Sequence, residues 1–561
     1  MTLLKTRLLR ATLVGTLVSL SLCGTASILT APAISFNDVT TEAGIKFTHF
    51  TGGFGKKYLP ETMGSGCAFF DFDGDGWADI LLLNGNDLGV PKRRATNPAL
   101  YRNNRNGTFT DVTRAAGLAV DMYAMAATFG DYDNDGDDDL YVSCLGPDRL
   151  FQNQGKGIFK DVTAATGLGC SDFGASAAWL DYDRDGWLDL YVANYVEWTA
   201  ATDIYCTLDG KTKSYCTPES YKGVSGRLYR NLKGSRFQDM TRTAGVFLPS
   251  QKGLGVCVTD ADLDGWPDIV VANDTEPNNL FLNQKNGSFK DVGVASGIAF
   301  SEEGVARGAM GIDAADYDLS GRPSLVIGNF SNQMLALYHN EGKAFFIDEA
   351  PVSEIGHKSL LTLAFGCFFF DFDLDGWVDI FVANGHVENE INKVQSKVTY
   401  AQPTHLFRNL GKKQFQQVTA RVGGALVKPY VGRGSAYADF DRDGDLDILM
   451  TTNGGTAHLF RNDGGSQSHF IRIRLRGSRS NRNGYGTLVQ LTAGGKTQTA
   501  FTRSGHSYLS QSESVQTFGI GSSTRAEKVR LVWPSGAVQE LGALDAGKEY
   551  LVDESRGVVA Q

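Results

Sequence analysis

Short apolar runs separated by acidic, glycine-bearing turns recur along most of the chain. Cys67–Phe70 and residues 80–83 are apolar throughout and flank one such turn, as expected of strands buried on both faces. Ala99–Asn103 and residues 108–112 mix apolar and polar positions, which suits more peripheral strands. Each repeat therefore predicts four short strands. Helical periodicity is absent, which disfavours stacked helical repeats.

Three motifs mark the repeats. The pattern D-x-D-x-(D/S)-G-x-x-(D/S) begins at Asp71, Asp131, Asp181, Asp260, Asp316, Asp371 and Asp439. A Leu-aromatic-x-Asn element follows each, starting at Leu100, Leu150, Leu228, Leu280, Leu337, Leu406 and Leu459. Phe-x-Asp-Val-Thr, or a relaxed form, sits at Phe36, Phe109, Phe159, Phe237, Phe289, Phe346 and Phe415. Four-stranded units about 50 to 80 residues apart predict the blades of a β-propeller. The fold expected is all-β: a seven-bladed β-propeller with calcium-binding hairpin loops, and a small C-terminal β-sandwich or barrel-like domain.

The order of the motifs predicts how the ring closes. The seventh repeat lacks its own Phe-x-Asp-Val-Thr strand, and a spare copy lies at Phe36-Asn37-Asp38-Val39-Thr40. Pairing that copy into the last sheet would leave no open seam. Long insertions at residues 84–98, 194–226 and 384–404 all fall between second and third strands. They should emerge at the end of the ring opposite the acidic loops, where irregular loops on a rigid frame suit specific binding.

The acidic turns read as calcium sites. Asp71, Asp73, Asp75 and Asp79 offer carboxylates at positions 1, 3, 5 and 9, and Gly76 at position 6 permits the tight turn. The same four positions are filled by Asp131, Asp133, Asp135 and Asp139, and by Asp181, Asp183, Asp185 and Asp189. They recur as Asp260, Asp262, Asp264 and Asp268, as Asp371, Asp373, Asp375 and Asp379, and as Asp439, Asp441, Asp443 and Asp447. The fifth copy keeps Asp316 and Asp318 but has Ser320 and Ser324, so about six Ca²⁺ sites are expected and a seventh weak or empty. Oxygen-only donors suit a hard cation and argue against zinc. An EF-hand is excluded, because its glutamate position is filled by Leu82, Val142 and Val192 within strand-like runs.

Length, charge and cysteines refine this. With 561 residues and 66 glycines the chain exceeds one ordinary core and is rich in turns. Lys5, Arg7 and Arg10 precede an apolar stretch and small residues, so residues 1–33 read as a cleaved export signal, with a lipid anchor at Cys23 the lesser alternative. Removing those three cations takes the formal charge from −10 to −13, and six Ca²⁺ return it to −1. The acidity is thus mostly ligand, with no sign of a nucleic-acid partner. Export permits disulfides, and Cys206 and Cys216 are the expected pair. Cys67, Cys257 and Cys367 read as small buried side chains, and the pairing of Cys144 and Cys170 stays open.

On these motifs the chain resembles the FG-GAP or VCBS repeat propellers. From about Phe470 it resembles the ASPIC/UnbV domain of cartilage acidic protein and its bacterial relatives, through Ser480-Asn481-Arg482-Asn483-Gly484-Tyr485-Gly486, Tyr508-Leu509-Ser510-Gln511-Ser512, Phe518-Gly519-Ile520-Gly521 and Trp533-Pro534-Ser535-Gly536. The organisation expected is a signal at 1–33, a propeller at 34–465 and an ASPIC/UnbV-like domain at 466–555. The resemblance implies calcium binding and extracellular interaction, and implies no reaction.

No catalytic constellation stands out. His386, with Glu388 and Glu390 nearby, reads first as a surface-loop histidine, and Lys92-Arg93-Arg94 as a solvated basic run. The leading expectation is a secreted, periplasmic or cell-surface interaction or adhesion module for an extracellular protein or glycan, with no integral membrane span. An enzyme working at the ring's central channel and a structural envelope protein are the alternatives.

Overall fold

The computed structural model describes residues 34–89 and 92–559. The expected export signal, Cys23 included, lies outside these residues. Ile34–Gln561 form one compact unit.

Seven four-stranded antiparallel sheets carry the seven repeats. The first is built from Cys67–Phe70, Asp79–Leu82, Ala99–Asn103 and Phe109–Asp111, close to the strands expected. The first strand of each sheet lies innermost: Cys67–Phe70, Ala124–Gly130, Gly174–Leu180, Gly253–Thr259, Ala309–Ala315, Ala364–Phe370 and Gly432–Ala438. Each inner strand packs against the next, and the last returns to the first. That closed succession is a β-propeller. Apolar side chains from adjacent sheets interleave between them, as where Phe70 stacks on Phe129 at 4.8 Å.

The seam closes with the N-terminal strand. Ser35–Asp38 pairs antiparallel with His458–Asp463, setting Phe36 opposite Asn462. Phe36 is fully buried among Phe368, Phe370 and Phe460.

A second layer of chemistry locks the sheets together. The side-chain amide of each Leu-aromatic-x-Asn asparagine donates to a carbonyl in the preceding sheet. Asn153 reaches Phe72 O at 2.9 Å, Asn231 Tyr132 O at 2.8 Å, and Asn283 Tyr182 O at 2.8 Å. Asn340, Asn409 and Asn462 repeat this to Ala261, Tyr317 and Phe372, and Asn103 to Phe440 of the last sheet. Seven buried staples therefore run once around the ring.

The C-terminal part has two four-stranded sheets. One joins Gln516–Gly521, His469–Arg476, Lys548–Asp553 and Gly557–Val559, and the other Lys496–Phe501, Leu488–Ala493, Lys528–Val532 and Val538–Leu541. Ile471, Ile473, Val489, Leu491, Phe518 and Trp533 share their core, as in a sandwich.

Candidate metal centres and a filled channel

The acidic loops join the first and second strands, and their backbone wraps the carboxylates. In the first loop Asp71 Oδ1 accepts the Asp75 N–H at 2.9 Å and Oδ2 the Gly76 N–H at 2.8 Å. Asp79 accepts the N–H of Phe72 at 3.2 Å and of Asn103 at 2.7 Å. The last contact explains why two sequence motifs travel together: the asparagine strand holds the ninth-position carboxylate. The same pair of bonds holds Asp139, Asp189, Asp268, Asp379 and Asp447.

Carboxylate oxygens of Asp71, Asp73 and Asp79 lie within 4.8 Å of one another, as do those of Asp131, Asp133 and Asp139, of Asp181, Asp183 and Asp189, and of Asp260, Asp262 and Asp268. Burial, and then the neighbouring aspartates, raise these groups: Asp79 to about 9, Asp131 to about 8 and Asp181 to about 7. Buried oxygens without a hydrogen-bond donor remain on Asp73, Asp181, Asp183, Asp373, Asp439 and Asp441. Such an oxygen costs about 1–3 kcal/mol unless something positive meets it. A hard cation fits this donor set.

The fifth loop differs. Asp318 meets the His339 imidazole at 2.9 Å, and Lys413 Nζ lies 3.1 Å from the other ring nitrogen and 2.8 Å from Glu349. Ser324 stands at the ninth position and accepts the Asn340 N–H at 3.1 Å. One ammonium, Lys413, lies beside this turn, and the turn itself has two carboxylates at positions 1, 3, 5 and 9 where the others have four.

The insertions gather at the other end, knotted by residues 50–63. Tyr58 packs edge-on against Trp198 at 5.3 Å, Lys57 pairs with Glu388 at 3.2 Å, and Tyr215 donates to Glu61 at 3.2 Å. Cys206 and Cys216 are disulfide-bonded in a hairpin that exposes Ile204, Tyr205 and Leu208. Cys67, Cys144, Cys170, Cys257 and Cys367 are free and buried.

His386 requires a correction. It is only 2% exposed: its Nδ1 accepts the Glu388 N–H at 3.0 Å, and burial with Arg433 nearby lowers it to about 4. Its insertion folds back over the ring, so the expected surface histidine is a core one. The basic run is engaged too: Lys92 pairs with Asp121 at 2.6 Å, Arg93 with Asp87 at 2.9 Å, and Arg94 stacks on Phe50.

Sequence reasoning missed what fills the channel. Residues 503–515, from the C-terminal part, run through it. Ser507 exchanges both backbone bonds with Ile312, at 2.7 and 3.0 Å, and Gln511 bonds Cys67 and Phe69 on the facing strand, both at 3.1 Å. Arg503 pairs with Asp313, and the Tyr508 hydroxyl donates to Met63 O at 2.9 Å beneath the insertion cap. The segment thus meets the open edges of inner strands.

Comparison with known proteins agrees with a propeller. The FG-GAP-like repeat model matches residues 71–142, 143–192, 260–327 and 371–450, and the ASPIC and UnbV model residues 477–559. The chain carries FG-GAP-like repeats followed by a C-terminal ASPIC/UnbV domain. Cartilage acidic protein 1 of mouse is 26% identical over 307 residues, covering 53% of this chain and 44% of that protein. The human protein is also 26% identical, over 53% of this chain and 43% of its own length. The chain thus spans less than half the length of these relatives. Among solved structures, an Agrocybe aegerita lectin that recognises non-reducing terminal N-acetylglucosamine aligns at TM-score 0.38 and 17% identity, over 70% of this chain and 86% of its own. YCF48 bound to D1 peptide aligns at TM-score 0.40 and 9% identity, over 71% and 91%.

Proposed function

We propose that this chain is an exported, calcium-binding propeller acting as an interaction or adhesion module for an extracellular protein or glycan. In this reading the seven sheets are seven blades, and six loops hold Ca²⁺ through their first, third, fifth and ninth aspartates. The fifth loop, with Ser320 and Ser324 in place of two aspartates, is weak or empty.

The observation that carries the reading is the disposition of the two ends. One is covered by the C-terminal domain, whose residues 503–515 run along the inner strands of the channel. The other carries a rigid cap of insertions with a disulfide-stapled apolar tip, and Tyr205 there is 65% exposed. Exposed aromatic and aliphatic side chains on a fixed frame suit partner recognition. No helix among the described residues is long and apolar enough to cross a membrane.

A glycan and secreted-protein binding screen, with calcium and with chelator, tests this. Binding should require calcium and fall at least tenfold when Ile204, Tyr205 and Leu208 are replaced by Ser. Binding indifferent to both treatments would refute it.

A further inference from the structure

The C-terminal domain rests on the acidic loops as well as on the inner strands. Asn483 accepts the Asp131 N–H at 2.8 Å and donates to Asp138 at 2.6 Å. Lys496 donates to Asp375 O at 2.8 Å, and the Gly521 N–H to Leu374 O at 2.9 Å. Arg474 stands 3.4 Å from Asp71, and Arg472 3.3 Å from Asp439. Four loops therefore supply this landing surface, through backbone groups and carboxylates alike. Those groups keep their places only while the carboxylates they wrap stay gathered.

The same domain sends residues 503–515 down the channel. The seating is tight: a Cβ on Gly66 would lie 1.7 Å from Leu509 O. Inner strands left without this segment would present unpaired N–H and C=O groups to the channel.

We propose that calcium in the acidic loops seats the C-terminal domain as a stopper, so that metal loading and closure of the channel are one coupled equilibrium. The inference rests on the reading of the loops as calcium sites. An ion-free loop loses the coordination that gathers its carboxylates, so its backbone donors and acceptors shift away from Asn483, Lys496 and Gly521. Linkage makes the effect reciprocal: a seated stopper must tighten calcium binding by the factor with which calcium favours seating.

Hydrogen exchange on the full secreted chain, calcium-saturated and in chelator, reads the coupling directly. Peptides covering 503–515 should exchange at least tenfold faster in chelator, while Ser324–Asn329, in the sheet whose turn is not read as a full calcium site, keeps its protection. Unchanged protection of 503–515 in a protein shown by metal analysis to have lost bound calcium would overturn the coupling alone. Simultaneous loss of protection in every sheet would overturn it as well. A protein that binds no calcium at all would sink the metal reading and the coupling with it. Gly66→Ala, which touches no loop, should weaken calcium binding threefold or more by displacing the stopper. Asn483→Ala should do the same at the second loop if Gly66→Ala does not fold. Wild-type calcium affinity in a folded Asn483→Ala protein would contradict the reciprocity.

Discussion

At the scale of single residues, the asparagine of each repeat does two jobs that the motif alone does not separate. Its backbone N–H holds the ninth-position carboxylate, and its side chain ties one sheet to the next. Asn340 isolates the second job, because its turn has Ser324 at the ninth position. Asn231→Ala and Asn340→Ala should each cost about 2–3 kcal/mol in chemical denaturation, since two buried bonds are lost and their carbonyls left unpaired. A cost near zero for Asn340→Ala would deny the staple an energetic role.

Buried histidines give a second residue-scale test. Burial lowers His386, His405 and His506 to about 4 and His49 to about 3. The folded state holds them neutral, so stability is full above the unfolded value of about 6.5 and falls as the unfolded chain gains protons below it. Each such group costs about 3 kcal/mol by pH 4. In saturating calcium, His506→Gln should flatten the loss between pH 6.5 and 4.5 relative to the parent. An unchanged slope would show that His506 titrates normally.

Elements matter through their edges. The strand Ser35–Asp38 is supplied from the far end of the sequence, and it covers an edge that would otherwise remain open in the last sheet. Phe36→Ala should destabilise the ring by about 3–5 kcal/mol, as truncation of a fully buried phenylalanine does elsewhere. Loss of less than 1 kcal/mol would mean that the seam is held by something else. The disulfide hairpin at Cys206 and Cys216 works differently, fixing the tip of an insertion and not the ring.

For the whole molecule, calcium in the acidic loops would decide the balance. A site kept at a hundredfold excess over its dissociation constant adds about 2.7 kcal/mol, so several sites together rival the entire stability of an ordinary domain. Chelation should therefore lower the melting temperature by more than 15 °C. Metal-free loops hold protons near neutrality, Asp131 at about 8 and Asp79 at about 9, and calcium must displace them. Affinity should weaken as pH falls from 8 to 6, with proton release visible by calorimetry in buffers of different ionisation enthalpy. Melting that ignores both chelator and pH would exclude structural calcium.

The repeat, its strands, the acidic donor sets and the spare N-terminal strand were legible in the sequence because they are local patterns: apolar alternation, turn glycines and carboxylates at fixed spacing. His386 was misread because its burial comes from an insertion folding over the ring, which no local pattern records. The filling of the channel by residues 503–515 was illegible for the same reason. Tyr508 to Ser512 carried only a family resemblance, and only the closed ring supplies the strand edges that Ser507 and Gln511 satisfy. Local chemistry wrote the four-stranded sheets and their acidic loops into the chain. Which end is covered, and what stops the channel, follow from contacts between residues hundreds of positions apart, and only the tertiary structure decides them.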